Sequence, residues 1–396
     1  MRVPLRRGAL FAAALLSGCL DRGAEDLLGN SAPDPMGRQV WTVILADAAG
    51  AVWIAQTDSA IAVHGDTSRE TTAALWSTLD SAPDLTGLRM AAQVDGRQMH
   101  WTLSEGNTPV AEGDGALRAY TGSSGSPRFT GTADLRVGGS VRSVRFDAIG
   151  GLPMPDVPVR LLPPAPRRTY HAGRGIVSLR VDDCGSADTA SLAALRRYGL
   201  TAEFAVPTRL VGRSTSCSLD LLRSISAGGN AVEAHSRFHT GPPPSFADFY
   251  LETIGSLRDL RGLGFDPRVF IQPGTWREGP TLFDSPAKLD TPYGALLRRT
   301  FEAVEAYQQP SFFATLPAAG ATWPSPAVIT GYSMDQIAAM VRQAGANGEW
   351  VEFMWHSGPA IGAALDPKLR LIAALRDSGY VDVMNLRDAL HAVPAP

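Results

Sequence analysis

The spacing of apolar residues changes near the middle of the chain. Before residue 150, short stretches rich in Val, Ile, Thr and Trp are separated by Gly, Asp, Asn and Ser, a pattern typical of β-hairpins. The clearest predicted strands are 40–45, 50–56, 98–103 and 140–149. One segment, 68–79, is predicted as a helix because Ser and Glu occupy its first turn. Residues 38–150 are therefore predicted to form a small all-β domain, a β-sandwich or a barrel.

From residue 170 onward, short apolar runs alternate with longer amphipathic segments. The predicted strands are 175–181, 201–206, 231–234, 268–272, 311–316 and 350–355, and the predicted helices are 187–198, 218–226, 293–307, 334–344 and 367–378. Repeated βα units indicate a parallel sheet or a barrel over residues 170–396. In such folds the chemistry collects where strands end at their carboxyl side, so polar residues at those positions are the first candidates for a site.

A proline-rich segment separates the two halves. Between residues 151 and 169 the prolines are 153, 155, 158, 163, 164 and 166. This density excludes a regular helix or a central strand and favours an extended spacer. We therefore predict a linker over 151–169.

The first residues have the features of an export signal. Arg2, Arg6 and Arg7 precede an apolar run over 9–16, which is far shorter than the ~20 residues that span a bilayer. The run leads into Leu16-Ser17-Gly18-Cys19, which resembles a bacterial lipobox, with Cys19 as the lipidated residue. We expect residues 1–18 to be a lipoprotein signal peptide and 19–37 a tether. The mature protein would then be anchored by lipid to a bacterial membrane outside the cytoplasm, in the periplasm or at the cell surface.

Composition and charge narrow the class of protein. Hydrophobic residues make up 44% of the chain and charged residues 19%, as in folded globular proteins. The formal net charge is −3, and no long run of basic residues offers a surface for nucleic acid. Two cysteines remain after Cys19, and an extracytoplasmic location permits Cys184 and Cys217 to pair, although two separately buried thiols are an equal alternative.

Two predicted strand ends carry acidic residues or histidines. The first strand ends in Asp182 and Asp183, which suit one metal ligand and one general base but are also common in turns. The third strand ends before His235 and His239, four residues apart, which face the same way if the segment makes one helical turn. An unrelated i,i+4 pair is the alternative.

Two more strand ends complete the set. One strand runs into Pro273, Gly274, Thr275 and Trp276, a corner that can aim backbone N–H groups at a ligand or can be an ordinary turn. The last long strand ends in His356, which places a further histidine at the same edge.

This ordered set resembles the polysaccharide deacetylase family, carbohydrate esterase family four, over about residues 170–392. The resemblance implies a distorted (β/α) barrel of about seven strands. It also implies that Asp183, His235 and His239 bind one divalent cation, most plausibly Zn. The substrate would be an N-acetylated glycan of the cell envelope or the extracellular space, and the products would be acetate and a free amino sugar.

The resemblance also implies catalytic roles. Asp182 would be the base that takes a proton from water, and His356 the acid that protonates the leaving amine. Backbone N–H groups near Gly274 and Thr275 would stabilise the oxyanion. Trp323 would cover the acetyl pocket, or is a core aromatic residue.

Three departures from the family pattern stand beside these expectations. An arginine that pairs with the base aspartate is absent from its usual place at 270–273, and Arg180, Arg237 and Arg277 are the candidates to replace it. No Asp occurs between Pro310 and Met334 to partner His356. Cys184 stands where the family has Gly, with Gly185 one position later.

Two other functions remain open at this point. One is a metal-dependent esterase or amidase for another acyl group, with a reshaped pocket. The other is a catalytically degenerate glycan-binding lipoprotein.

Overall fold

The structure is a computed structural model that describes residues 40–57, 65–77, 85–95, 97–118, 127–137, 139–152, 169–306, 311–316, 324–358 and 361–395. The predicted signal peptide, Cys19 and the tether lie outside these residues, as do Trp323 and the predicted linker apart from 151, 152 and 169. Within the described part of the chain, every helix is too short or too polar to cross a membrane.

The N-terminal half is a closed antiparallel barrel. Its strands are β1 Trp41–Ala46, β2 Val52–Thr57, β3 Gly65–Ser77, β4 Leu85–Asp95, β5 Gln98–Glu105, β6 Thr108–Leu117, β7 Arg128–Val137 and β8 Ser140–Gly150. Each strand pairs with the next, and β8 pairs back with β1. The domain is therefore a barrel and not the sandwich that was the other expectation. Aromatic side chains fill its interior, including Trp41 against Phe129 and Trp101 against Phe146.

The helix predicted over 68–79 is wrong, because these residues belong mostly to β3. This strand pairs with β2 on one side and β4 on the other, so the sheet satisfies its backbone. Burial alternates along its end, where Ala73, Leu75 and Ser77 are buried and Ala74 and Trp76 are less so. A period of two is the signature of a strand. The Ser and Glu that suggested a helix cap were a local signal that long-range pairing overrides.

The C-terminal half contains eleven strands among the described residues. They are β9 Thr169–Tyr170, β10 Gly175–Asp182, β11 Glu203–Val206, β12 Ala231–Ala234, β13 Val269–Ile271, β14 Ala303–Glu305, β15 Phe313–Thr315, β16 Ala327–Val328, β17 Glu349–His356, β18 Val381–Val383 and β19 Val393–Pro394. The α-helices are α1 Asp188–Tyr198, α2 Leu219–Ala227, α3 Phe246–Gly262, α4 Pro292–Thr300, α5 Met334–Asn347, α6 Ile361–Asp377 and α7 Leu386–Leu390.

The main sheet is curled and has β10 near its centre. The strand order is β14-β13-β12-β11-β10-β17-β15, with β16 added to β17 and β18 added to β10. Seven strands follow one path, as expected, but no pairing among the described residues joins β14 to β15, so the barrel is open. Because β10 to β14 and β17 are parallel, their carboxyl ends meet at one edge of the sheet.

The helix predicted over 293–307 is too long. Helix α4 ends at Thr300, and β14 follows within the range that was assigned to the helix. The reason is tertiary: β14 pairs with β13, which buries Val304 and Glu305 at the edge of the sheet. Apolar periodicity alone does not separate the end of a helix from a short strand that follows it.

Helix α3 packs against the N-terminal barrel. Ile44, Ile54 and Leu152 belong to the same apolar core as the C-terminal half. The Tyr250 hydroxyl donates to the Leu152 carbonyl over 2.7 Å, and the Arg128 guanidinium lies 2.6 Å from an Asp248 carboxylate oxygen. The two halves therefore share a core and buried polar contacts.

Candidate active site

The first part of the site is the end of β10. Asp182 is the last residue of this buried strand, and it lies level with His356 in the pairing of β10 with β17. Asp183 comes next, with φ of 75°. A positive φ is uncommon in a non-glycine residue, and it ends the extended backbone of the strand at this point.

The second part is the segment after β12, which carries His235 and His239. It does not form the helical turn that the spacing suggested, because Ser236 and His239 have φ of 64° and 55°. The histidines converge nonetheless, with ring centroids 4.9 Å apart. Glu252 holds this loop by accepting from the backbone N–H groups of Arg237 and Phe238 over 2.9 and 3.0 Å.

Backbone strain is concentrated at this edge of the sheet. Among the described residues, the non-glycine residues with positive φ are Asp183, Cys184, Ser236 and His239. All four belong to the two loops that carry the predicted metal ligands. Such strain costs about 1–3 kcal/mol per residue and clusters at functional sites, so its position here is evidence for a site.

Asp183, His235 and His239 bring three ligand atoms together. Asp183 Oδ1 lies 3.6 Å from His235 Nε2 and 3.2 Å from His239 Nε2. The three ligand atoms all lie within 4.8 Å of one another. Two ligands at about 2.0–2.1 Å from a tetrahedral Zn are roughly 3.3 Å apart, so this spacing fits one Zn ion. His235 Nε2 and Asp183 Oδ1 are also buried without a hydrogen-bond partner in the described structure, as expected of atoms that bind a metal ion.

Neighbouring groups prepare these side chains to bind a cation. His235 Nδ1 lies 2.9 Å from the Ile271 carbonyl, which makes it the donor and leaves Nε2 to face Asp183. Burial, followed by the nearby His235, lowers the pKa of His239, so this ring is neutral at neutral pH. Burial acts to raise the pKa of Asp183, but the histidines outweigh it and the pKa is lowered. The set therefore presents a neutral His239 ring, the Nε2 atom of His235 and an ionised carboxylate.

Arg180 orients Asp182. The two side chains lie on the same face of β10, with Arg180 Nε 2.9 Å from Asp182 Oδ1 and Arg180 Nη2 3.3 Å from Oδ2. Of the three arginines that were candidates to orient Asp182, Arg180 is therefore the one that contacts both of its carboxylate oxygens. The other two candidates have different partners: Arg237 binds Asp259 at 3.0 Å, and Arg277 donates to the Gly274 carbonyl.

Two buried glutamates behind Asp182 were missed by the sequence reasoning. Arg180 contacts Glu305 on β14 and lies 3.4 Å from Glu352 on β17. Burial raises the pKa of Glu352 to about 7, although Arg180 opposes the shift. An acid between Val351 and Phe353 in an otherwise apolar strand is the sequence signal that could have revealed this cluster.

The four residues of the predicted Pro273–Trp276 corner differ in their exposure to solvent. Gly274 is half-buried and Thr275 is exposed, and the Thr275 hydroxyl donates to the Thr240 carbonyl over 2.7 Å, next to the His239 loop. Pro273 is buried. Trp276, the last residue of the predicted corner, has its ring fully buried against Phe249 and Phe270, and its backbone N–H donates to the Pro273 carbonyl over 3.0 Å. The backbone turn thus puts the aromatic ring on the side away from the site.

A disulfide joins Cys184 to Cys217, with their Cα atoms 5.4 Å apart. The Cys217 N–H also donates to the Cys184 carbonyl over 2.7 Å. Cys184 directly follows Asp183, so the cross-link fastens the loop that carries this predicted ligand.

His356 completes the site at the end of β17. Its side chain is exposed, and its charge acts on Asp183 electrostatically. Within the described residues, no acidic side chain forms a hydrogen bond with its ring. Its position opposite Asp182 leaves it free to face a ligand above the sheet edge.

Comparisons with known proteins gave structural matches only. No family model and no curated protein matches the chain. One matching structure is a family 4 carbohydrate esterase from Streptomyces lividans in complex with acetate, at 19% identity and a TM-score of 0.37, covering 56% of this chain and 98% of that chain. A second is the catalytic domain of a peptidoglycan N-acetylglucosamine deacetylase from Eubacterium rectale, at 16% identity and a TM-score of 0.35, covering 57% and 94%.

A third match is a pseudoenzyme of the same family from Bacillus anthracis, at 16% identity and a TM-score of 0.37, covering 61% of this chain and 77% of that chain. Because identities and TM-scores are this low, the resemblance to the family rests on the residues of the site and their geometry.

Proposed function

We propose that this chain is a metal-dependent carbohydrate deacetylase of the polysaccharide deacetylase family, which removes N-acetyl groups from a glycan. The observation that carries the proposal is the convergence of three ligand atoms beside a buried, arginine-held Asp182 and an exposed His356. A protein that only binds glycan has no need for a base and an acid on either side of a cation site.

Asp183, His235 and His239 would hold the cation, most plausibly Zn. Bound there, Zn would supply Lewis acidity, which polarises an acetyl carbonyl and increases the acidity of water. The chain's own contribution is the pre-arranged ligand set, with His235 fixed by the Ile271 carbonyl. The disulfide at Cys184 and the strained backbone at Asp183 hold the third ligand in place.

Asp182 and His356 would divide the proton transfers. Asp182 accepts the proton of the attacking water, and Arg180 keeps its carboxylate oriented. His356 then donates a proton to the departing amine, since an amide nitrogen leaves slowly without protonation. Backbone N–H groups at Gly274 and Thr275 are the candidates to stabilise the oxyanion. The net reaction converts water and the N-acetyl amide into acetate and a protonated amine.

A second function, hydrolysis of O-acetyl esters, is favoured by one observation. No acidic side chain in the described residues accepts a hydrogen bond from the His356 ring, so no carboxylate there orients the ring as a proton donor. An alkoxide is a better leaving group than an amide anion and depends less on a donor. The same metal ligands and Asp182 would serve either substrate.

We also propose that the enzyme lies outside the cytoplasm, anchored through lipid on Cys19 after removal of residues 1–18. This location is supported by the sequence Leu16-Ser17-Gly18-Cys19, which follows a basic start and an apolar run. Such a location brings the enzyme to polymeric cell-envelope or extracellular glycans. Mass spectrometry of the protein purified from membranes would show the lipid on Cys19, and the Cys19→Ser variant would lack it.

The experiment that tests the function compares acetate release from two substrates of known acetylation. N-acetylglucosamine oligomers carry acetamides, and O-acetylated xylan carries esters. Faster turnover of the oligomers supports the deacetylase, faster turnover of xylan supports the esterase, and no release from either by metal-loaded protein would contradict both.

A further inference from the structure

Both chain neighbours of His356 are linked by hydrogen bonds to one buried carboxylate, that of Asp188 on α1. The Ser357 hydroxyl donates to Asp188 Oδ2. The Trp355 indole N–H donates to Ser191 Oγ over 3.2 Å, and the Ser191 hydroxyl donates to Asp188 Oδ1 over 3.3 Å. Asp188 therefore anchors the strand end on both sides of His356.

The same carboxylate holds the loop that carries Asp183. The Gly185 N–H lies 3.0 Å from Asp188 Oδ2 and 2.7 Å from Ser357 Oγ, so both oxygens accept from it. A Cβ at position 185 would lie 2.7 Å from Ser357 Cβ, so the close contact of the two loops requires glycine. The Ser357 N–H completes the junction by donating to the Asp182 carbonyl over 3.1 Å.

This junction can position His356 even though its ring has no acidic hydrogen-bond partner among the described residues. No acid in the described structure forms a hydrogen bond with the ring, and no Asp occurs between Pro310 and Met334. The direction of the ring is then set by its backbone, and the backbone is set by Trp355 and Ser357. A displacement of a catalytic group by about 1 Å can reduce a rate about 100-fold, so this anchoring has a kinetic consequence.

We propose that Asp188 is a positioning residue for the deacetylation, which fixes the end of β17 with His356 against the loop with Asp183. The inference rests on the proposed function. Asp188 is not among the three predicted ligands, and it acts through Ser357, Ser191 and Gly185. Its fully buried position means that its bonds are with protein rather than with water.

The test uses two variants and one matched control in the full-length protein. Asp188→Asn keeps the size of the side chain but loses an acceptor, and Ser357→Ala deletes one hydroxyl and carries the test if the first variant does not fold. The control is Asp382→Asn: Asp382 also accepts from a loop, at 2.6 Å from the His171 nitrogen, but beside the start of β10 at the opposite edge.

We expect kcat for acetate release from N-acetylglucosamine oligomers to fall about 10- to 100-fold in both variants, with KM and Zn content unchanged. The control should keep the wild-type kcat. Hydrolysis of 4-nitrophenyl acetate should be unaffected in all of them, because a phenolate leaves without a proton from His356.

Wild-type kcat on the oligomers in both variants would overturn the inference, as would equal losses on the oligomers and on the aryl ester, which indicate general damage. A metal-loaded wild type that is inactive on both substrates would instead overturn the proposed function, and this inference with it.

Discussion

Arg180 and Asp182 lie two residues apart on β10 and face the same interior, where the guanidinium contacts both carboxylate oxygens at 2.9 and 3.3 Å. Both side chains are buried. A strand places residues i and i+2 on the same face, so one strand supplies the base and the group that orients it. The contact explains how Asp182 can be held without an arginine at 270–273.

Arg180→Lys should lower kcat for acetate release about 10- to 100-fold, because lysine keeps the charge but loses the two-point contact with Asp182. The Zn content should not change, since Arg180 is not among the ligands. Arg197→Lys is the matched control, because Arg197 also pairs with a carboxylate, that of Asp366 at 2.6 Å, but at the exposed end of α1. Unchanged turnover in Arg180→Lys would show that Asp182 does not depend on this pair.

Zn should raise the melting temperature of the wild type but not that of His239→Ala. A ligand that binds only the folded state stabilises it by RT ln(1 + [L]/Kd), about 2.7 kcal/mol at 100 times Kd. His171→Ala is the control, since His171 pairs with Asp382 away from the ligands. Thermal scans of metal-free protein with added Zn measure the effect. An equal Zn-induced shift in His239→Ala would remove this residue from the ligand set.

The Cys184–Cys217 cross-link should stabilise the fold. The cysteines are separated by 33 residues. Closing a loop of that length contributes about 2–4 kcal/mol by restricting the unfolded chain. Urea unfolding of Cys184→Ser/Cys217→Ser should therefore show a lower free energy of unfolding than the oxidised wild type. Reduced wild type should match the variant, and an oxidised wild type no more stable than the variant would contradict the cross-link.

Stability should fall as the pH rises from about 5 to 8. Burial raises the pKa of Glu352 to about 7 and that of Glu233 to about 8. In this window the folded state keeps protons that the unfolded state, with ordinary glutamates, has released. Because the folded state then binds more protons, the free energy of unfolding decreases with pH, by up to ~1.4 kcal/mol per unit for each such group.

Glu352→Gln should make that pH dependence shallower, because glutamine holds no ionisable proton. Glu278→Gln, an exposed acid, serves as the control and should leave the slope unchanged. Urea unfolding at several pH values measures both. An identical slope in Glu352→Gln and wild type would show that Glu352 is ionised throughout this range.

Most of the strands that end at this edge of the sheet could be predicted from the sequence, because their local apolar pattern agrees with their place in the sheet. Strand ends before Asp182, His235 and His356 were recognisable as apolar runs followed by polar residues. The sequence did not reveal which arginine meets Asp182, because that contact depends on the side of β10 that faces inward. It also did not reveal that the Trp276 ring lies in the core, because that depends on the local backbone conformation after Pro273.

The wrong predictions of secondary structure also arose because local sequence signals do not report long-range contacts. The β3 segment contains Ser and Glu at positions typical of a helix N-terminus, but its pairing with β2 and β4 makes it a strand. The histidine loop was expected to converge through a helical turn, whereas left-handed backbone at Ser236 and His239 brings the rings together. Neither pairing partners nor such strained conformations can be read from local spacing.

The most direct measurement is the metal content of the purified protein and of His235→Ala, made together with acetate release from N-acetylglucosamine oligomers with and without a chelator. We expect about one Zn per chain in the wild type, as a site with three protein ligands implies, and little in His235→Ala. Acetate release should be lost with the chelator and return when Zn is added back. A wild type that binds no divalent metal, or that releases acetate at the same rate with its metal removed, would contradict a metal-dependent deacetylase.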